Sequence, residues 1–262
     1  MNLSVSNIAW ASSLDHPMYE YIREQGFSGL EIAPTRIFPE NPYEDLTKAK
    51  AFREMLFDEY SLVISSMQSI WFGKTERIFA SKEERHILIE YTKKAIDFAA
   101  VIGCGNLVFG CPKNRIADHG DTEAIAVDFF GTLGEYAVEH NTVLSMEPNP
   151  AIYGTNYINY TKDAFTLVKQ INSKGFLVNV DLGTIIENGE DLTVITDNLS
   201  QVNHVHISEP YLERIQKRQL HNTLADILQT KGYDKFISIE MKKQDKMKYV
   251  HEAMQYIKEV FV

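Results

Sequence analysis

The sequence predicts a single-domain (β/α)8 TIM barrel spanning residues 1–262, and three observations carry that prediction. Eight short β-rich runs alternate with amphipathic stretches. The runs begin 26 to 44 residues apart, a rhythm of repeated βα units. No GxGxxG follows the first run, so an open doubly wound sheet fits less well, and eight units in a chain near 250 residues is the size of a barrel.

The strand candidates, in order, are "LSVSNIAW" (3–10), "GLEIA" (29–33), "LVISSMQ" (62–68), "NLVFG" (106–110), "TVLSME" (142–147), "FLVNVD" (176–181), "VNHVHIS" (202–208) and "FISIEM" (236–241). Each gap has room for a helix. Asp15 is placed to cap a helix ending near Gly26, and Ser81 with Glu84 forms a capping box before a long helix through Ala100. From 244 to 260, Met247, Val250, Met254, Ile257 and Val260 recur three or four apart, which predicts a closing amphipathic helix. No long Pro/Gly-rich linker or low-complexity segment interrupts the chain.

Composition narrows the class. A net charge of −10 opposes a nucleic-acid backbone as partner. No apolar run approaches the roughly 20 residues of a membrane span. "MNLSVSNIAW" has no basic stretch ahead of an apolar one, and Cys104 and Cys111 lack CxxC spacing, so reduced thiols in a cytoplasmic protein are expected.

In a barrel of this kind, chemistry collects at the C-terminal ends of the strands. There, strand five ends in Glu147, strand six in Asp181, strand seven carries His206 and strand eight carries Glu240. One such residue is ordinarily a solvated loop carboxylate or a satisfied core histidine. Four on consecutive strands, at about equal height, predict a metal site. Two residues earlier on the same faces lie Ser145, Asn179, His204 and Ser238, where an ordinary interior would hold Val, Ile and Leu. Three carboxylates and one imidazole suit one divalent ion, Mn²⁺, Mg²⁺ or Co²⁺, with Zn²⁺ also compatible.

At these residues the chain resembles the sugar phosphate isomerase/epimerase superfamily, the xylose isomerase-like TIM barrels. "GFSGLEIAPTR" (26–36) and "LVFGCPKNR" (107–115) resemble that family's second and fourth strands. The resemblance implies that Glu147, Asp181, His206 and Glu240 bind one divalent metal. It further implies that Glu147 and Glu240 exchange a proton next to a carbonyl of a small sugar or sugar derivative, phosphorylated or not, through an enediolate. Two departures stand out. Thr184 occupies the place where many relatives have a substrate-contacting histidine, and Leu212 the place of an arginine, with Arg214 nearby.

Other candidates are weaker. Glu31 can contact a sugar hydroxyl if it faces the interior, or else form a salt bridge. Lys113 and Arg115 can hold a phosphate or carboxylate, or form a solvated basic loop. His221 can line the rim beside Glu240, or cap a helix in solvent. Trp71 and Phe72 can wall a sugar ring or pack their own loop. Asn149, Tyr153, Tyr157 and Tyr160 enrich the loop after Glu147, which suits hydroxyl binding or a homo-oligomer contact. Three rival functions compete with an isomerase. An endonuclease IV-like nuclease would need more histidines than strands three and four offer. A keto-sugar or keto-inositol dehydratase needs the same metal ligands. A non-catalytic sugar-binding barrel would have no use for two glutamates flanking a metal.

Overall fold

Eight parallel strands close on themselves in chain order in the computed structural model, which describes every residue except 118 and 119. His119, to which the sequence assigns nothing, lies outside the described residues. The strands are β1 (Asn2–Ser6), β2 (Gly29–Ile32), β3 (Val63–Met67), β4 (Leu107–Phe109), β5 (Leu144–Met146), β6 (Phe176–Asp181), β7 (Val202–Ile207) and β8 (Phe236–Ile239). Each expected strand is present, several of them shorter. The first stops at Ser6 because the chain turns into a 3₁₀ segment at Asn7–Ala9.

Outside the sheet run α1 (Asp15–Glu24), α2 (Leu46–Tyr60), α3 (Lys82–Ile102), α4 (Thr122–Glu139), α5 (Thr161–Ile171), α6 (Leu182–Asn188), α7 (Gln219–Thr230) and α8 (Met247–Phe261). Ser81 caps α3 by accepting from the Glu84 N–H at 3.2 Å. Only half of the expected box forms, since the Glu84 carboxylate accepts instead from the Arg77 N–H at 2.7 Å. Asp15 lies in the first turn of α1 and does not cap it. Its carboxylate binds the Arg36 guanidinium at 2.6 and 3.2 Å and the Trp10 indole N–H at 2.8 Å, a charged partner that outcompetes the helix end.

The apolar core fills the layer between strands and helices. Phe130, fully buried, packs its ring against Phe109, Phe129 and Phe176 with centroids 5.0 to 5.1 Å apart. Inside the barrel, polar side chains pair with one another instead. Ser4 lies 2.6 Å from Ser65 and 3.2 Å from Ser238, while Asn106 receives the Ser145 hydroxyl at 2.6 Å and donates to Ser66 at 2.9 Å. Pairing these groups with one another removes the cost of burying them. The apolar layer outside therefore carries the folding, and the interior is left to the site.

Candidate metal centre

Strand register explains how the four predicted ligands meet. Asp181 pairs with His206, and His206 with Ser238, so Glu240 stands two residues beyond the level of His206. Met146 pairs with Val178, which likewise puts Asp181 two residues beyond the partner of Glu147. Strands in a closed barrel are tilted and staggered, so registered residues drift along the axis from strand to strand. The two-residue steps compensate for that drift. As a result, donor atoms of Glu147, Asp181, His206 and Glu240 lie within 4.8 Å of one another, all on buried residues.

Each ligand has its own support. Glu147 accepts from Asn179 at 2.8 Å and from Asn149 at 3.1 Å. A Cβ on Gly110 would lie 2.7 Å from Glu147 Oε2, so the position just after β4 favours a residue without a side chain. Asp181 doubles as the N-cap of α6, accepting from the Thr184 N–H at 2.7 Å, and the Ser208 hydroxyl donates to its other oxygen. Among the described residues Glu240 has one hydrogen-bonding or ion-pair partner, His206, whose Nδ1 is 3.1 Å from its carboxylate and 2.8 Å from that of Glu147. The opposite ring nitrogen, Nε2, lies 2.7 Å from Glu31 Oε2. That contact fixes the ring and leaves Nδ1 facing the carboxylates, as a carboxylate–histidine–metal arrangement requires.

The electrostatics fit a cation. Burial raises the Asp181 carboxyl above its usual range, and repulsion from Glu147 adds to it. Burial raises Glu240 as well, with Glu31 and Asp181 repelling it and His206 opposing the rise. Burial lowers the tendency of His206 to hold a proton, yet Glu31 and Glu240 outweigh this and push its pKa well above the imidazole value. Burial would raise Glu31 too, but the charge on His206 holds it far below the ordinary range. Even with His206 protonated, three clustered carboxylates leave buried negative charge in excess. A divalent ion offsets that excess, and the oxygen-rich set suits a hard or borderline one.

The structure revises the other candidates. Glu31 faces the interior but is fully buried, paired with His206 and near His204, and does not line the cavity over the cluster. Arg115 is neither a phosphate clamp nor solvated. It is fully buried and donates to the Glu147 carbonyl at 2.8 Å and to Asn149 Oδ1 at 2.9 Å, so it holds the loop that carries Glu147. Burial lowers its pKa to about 10 and leaves it charged. Lys113, two residues earlier in the same 3₁₀ turn, points to solvent. His221 lies in the first turn of α7, buried, with Nδ1 3.0 Å from the Tyr256 hydroxyl of α8, and does not line the cavity by Glu240. Trp71 is buried and donates to Thr92 at 2.8 Å, while its neighbour Phe72 is 70 % exposed.

Thr184 is buried and lies 2.8 Å from both Asp181 and the Pro148 carbonyl. Its hydroxyl thus braces a ligand. Arg214 does not stand in for the arginine missing at Leu212, because it pairs with Glu252 and stacks over Tyr249 on the outer helix. Over the cluster lies a cavity of about 200 Å³, lined by Gln68, Cys111, Asn149, Tyr153 and Leu212 among others. Sequence reading gave no place to Gln68. Its position one residue past β3, on the face that points inward, was the available signal.

Comparison with known proteins agrees with this geometry. The description "Xylose isomerase-like TIM barrel" matches residues 19–260. No curated protein sequence matches the chain. Among solved structures, a 3-keto-D-glucoside 4-epimerase from E. coli superposes with a TM-score of 0.79 at 18 % identity over 99 % of each chain. A D-psicose 3-epimerase from Clostridium cellulolyticum H10 gives 0.82 at 13 % identity, over 100 % of this chain and 99 % of that one. A family 2 AP endonuclease from Brucella melitensis gives 0.74 at 17 % identity over 94 % of each. At such identities the likeness establishes the fold. With the family description matching nearly the whole barrel, this chain belongs to the xylose isomerase-like TIM barrel family.

Proposed function

We propose that this protein is a divalent-metal-dependent isomerase or epimerase of a small sugar or sugar derivative, working by proton abstraction next to a carbonyl. One observation carries the reading: two buried glutamates, on strands three apart around the barrel, converge on the same ring nitrogen of His206 under an open cavity. Asp181 and His206 hold the ion, while Glu147 and Glu240 share in holding it and exchange the proton. When bound, the ion supplies Lewis-acid polarisation of the substrate carbonyl and acidifies the neighbouring C–H.

The two glutamates differ in freedom. Glu147 is tied by two asparagines and braced from behind by Arg115, so its carboxylate is fixed. Glu240 has His206 as its one polar partner among the described residues. Two carboxylates flanking a bound ring can take a proton from one face and return one to the other, which inverts a carbon. The similar structures include epimerases of a keto-glucoside and of a ketose, which supports the same class.

The test is deuterium incorporation from D₂O into a panel of ketoses and keto-sugars, with Mn²⁺, with EDTA, and with Glu240→Gln. Metal-dependent exchange that Glu240→Gln abolishes is the expected result. Exchange that survives EDTA or the substitution refutes the assignment, and an absorbing enone product would make the enzyme a dehydratase.

A further inference from the structure

The cavity over the metal centre, at about 200 Å³, lies below the range of roughly 300 to 1,000 Å³ common for small-molecule sites. It suits a single small ring. Beside it opens a larger cavity of about 700 Å³, between the segments that follow β2 and β3 and the outer helix α3. Ser69 lines both, so the two cavities adjoin at this residue.

The lining of that space states what it can hold. Phe72 projects into it with 70 % of its surface exposed, beside Tyr91, Pro39 and Pro42. An exposed aromatic over a cavity offers a face for the C–H surface of a ring. Asn41 and Thr35 supply groups for hydroxyls. Anion binding is disfavoured, because the cations there are engaged. Arg36 is paired to Asp15 at 2.6 Å, Lys94 to Glu44 at 2.6 Å, and the Lys74 ammonium sits 4.2 Å from the Tyr91 ring centroid. A phosphate would need several unpaired donors converging on one point.

We propose that the substrate is a glycoside. The ring that exchanges its proton occupies the metal centre, and a neutral second sugar ring lies in the neighbouring cavity against Phe72. This rests on the sugar-isomerase reading above and names its substrate class as neither a free nor a phosphorylated monosaccharide.

Saturation-transfer NMR with the Mg²⁺-loaded protein tests this by binding alone. Glucose, glucose 6-phosphate and three disaccharides (maltose, cellobiose and trehalose) serve as probes, on wild type, Phe72→Ala and Lys74→Gln. Phe72 is exposed, so its truncation leaves the core intact, which circular dichroism checks. At least one disaccharide should bind tenfold or more tightly than glucose, and Phe72→Ala should cut that preference at least fivefold. Glucose binding as well as every disaccharide overturns the proposal, as does a preference indifferent to Phe72→Ala. Tightest binding of glucose 6-phosphate, lost in Lys74→Gln, overturns it in favour of an anion site. The exchange assay fails separately: no exchange alongside a Phe72-dependent disaccharide preference would refute the chemistry and leave the second-ring site standing.

Discussion

Replacing Glu31 by Gln removes one charge from a fully buried residue 2.7 Å from His206 and 3.4 Å from His204, so its effect measures the support given to that histidine pair. Glu31 Oε2 lies 2.7 Å from His206 Nε2, and both side chains are fully buried. At an effective dielectric of about 20 the direct attraction is about 6 kcal/mol. Most of this offsets the desolvation of the two groups. Glutamine keeps the shape and one acceptor, so the net loss is the difference between a charge-assisted and a neutral hydrogen bond, about 1 to 2 kcal/mol. Loss of a carboxylate behind a ligating histidine typically weakens metal binding about 10- to 100-fold, in the same range. Competition of Mn²⁺ between the protein and a chelator of known affinity gives the dissociation constant, with a thermal melt of the metal-free variant to confirm the fold. A folded Glu31→Gln protein that binds Mn²⁺ within about twofold of wild type would refute the claim that Glu31 sets the ligand geometry of His206.

Other changes probe the surroundings. Arg115→Met should cost about 2 to 4 kcal/mol in urea unfolding, since it strands two buried acceptors, the Glu147 carbonyl and Asn149 Oδ1, and it should lower exchange activity as well. An unchanged midpoint would mean the loop holds itself. Gly110→Ala puts a methyl 2.7 Å from Glu147 Oε2 and must displace that carboxylate; exchange should fall at least tenfold while stability changes little, and full activity would show that Glu147 does not work from this position. Acidification tests His221, whose pKa burial lowers to about 4. The unfolded chain takes up a proton near pH 6.5 and the fold does not until about 4. Stability is therefore complete above 6.5 and declines as pH falls toward 4, by about 3 kcal/mol from this residue. His221→Gln should flatten that decline in denaturant titrations across the window, and an unaltered slope would assign the loss elsewhere.

The barrel and the four candidate ligands were legible because both are repeating patterns: one strand per βα unit, one polar residue at each C-terminal end. The roles of Glu31 and Arg115 were not legible, for a common reason. Glu31 meets His206 across the barrel from β2 to β7, a separation of 175 residues, and strand spacing alone does not say which interior side chains touch. Arg115 reads as a basic loop residue beside Lys113. Only the turn at Cys111–Arg115, where Cys111 adopts φ of 42°, folds one inward and leaves the other in solvent. The two departures from the family pattern read differently once placed. Thr184 binds the Asp181 carboxylate from behind, and Leu212 lines the cavity in a left-handed conformation with φ of 52°. Neither removes a donor atom from the cluster. Thr184 is fully buried behind Asp181 and does not line the cavity, whereas Leu212 gives the cavity an apolar surface. On the proposed reading, proton transfer would rest with Glu147 and Glu240, and Leu212, Ser69 and Phe72 would bear on which sugar binds.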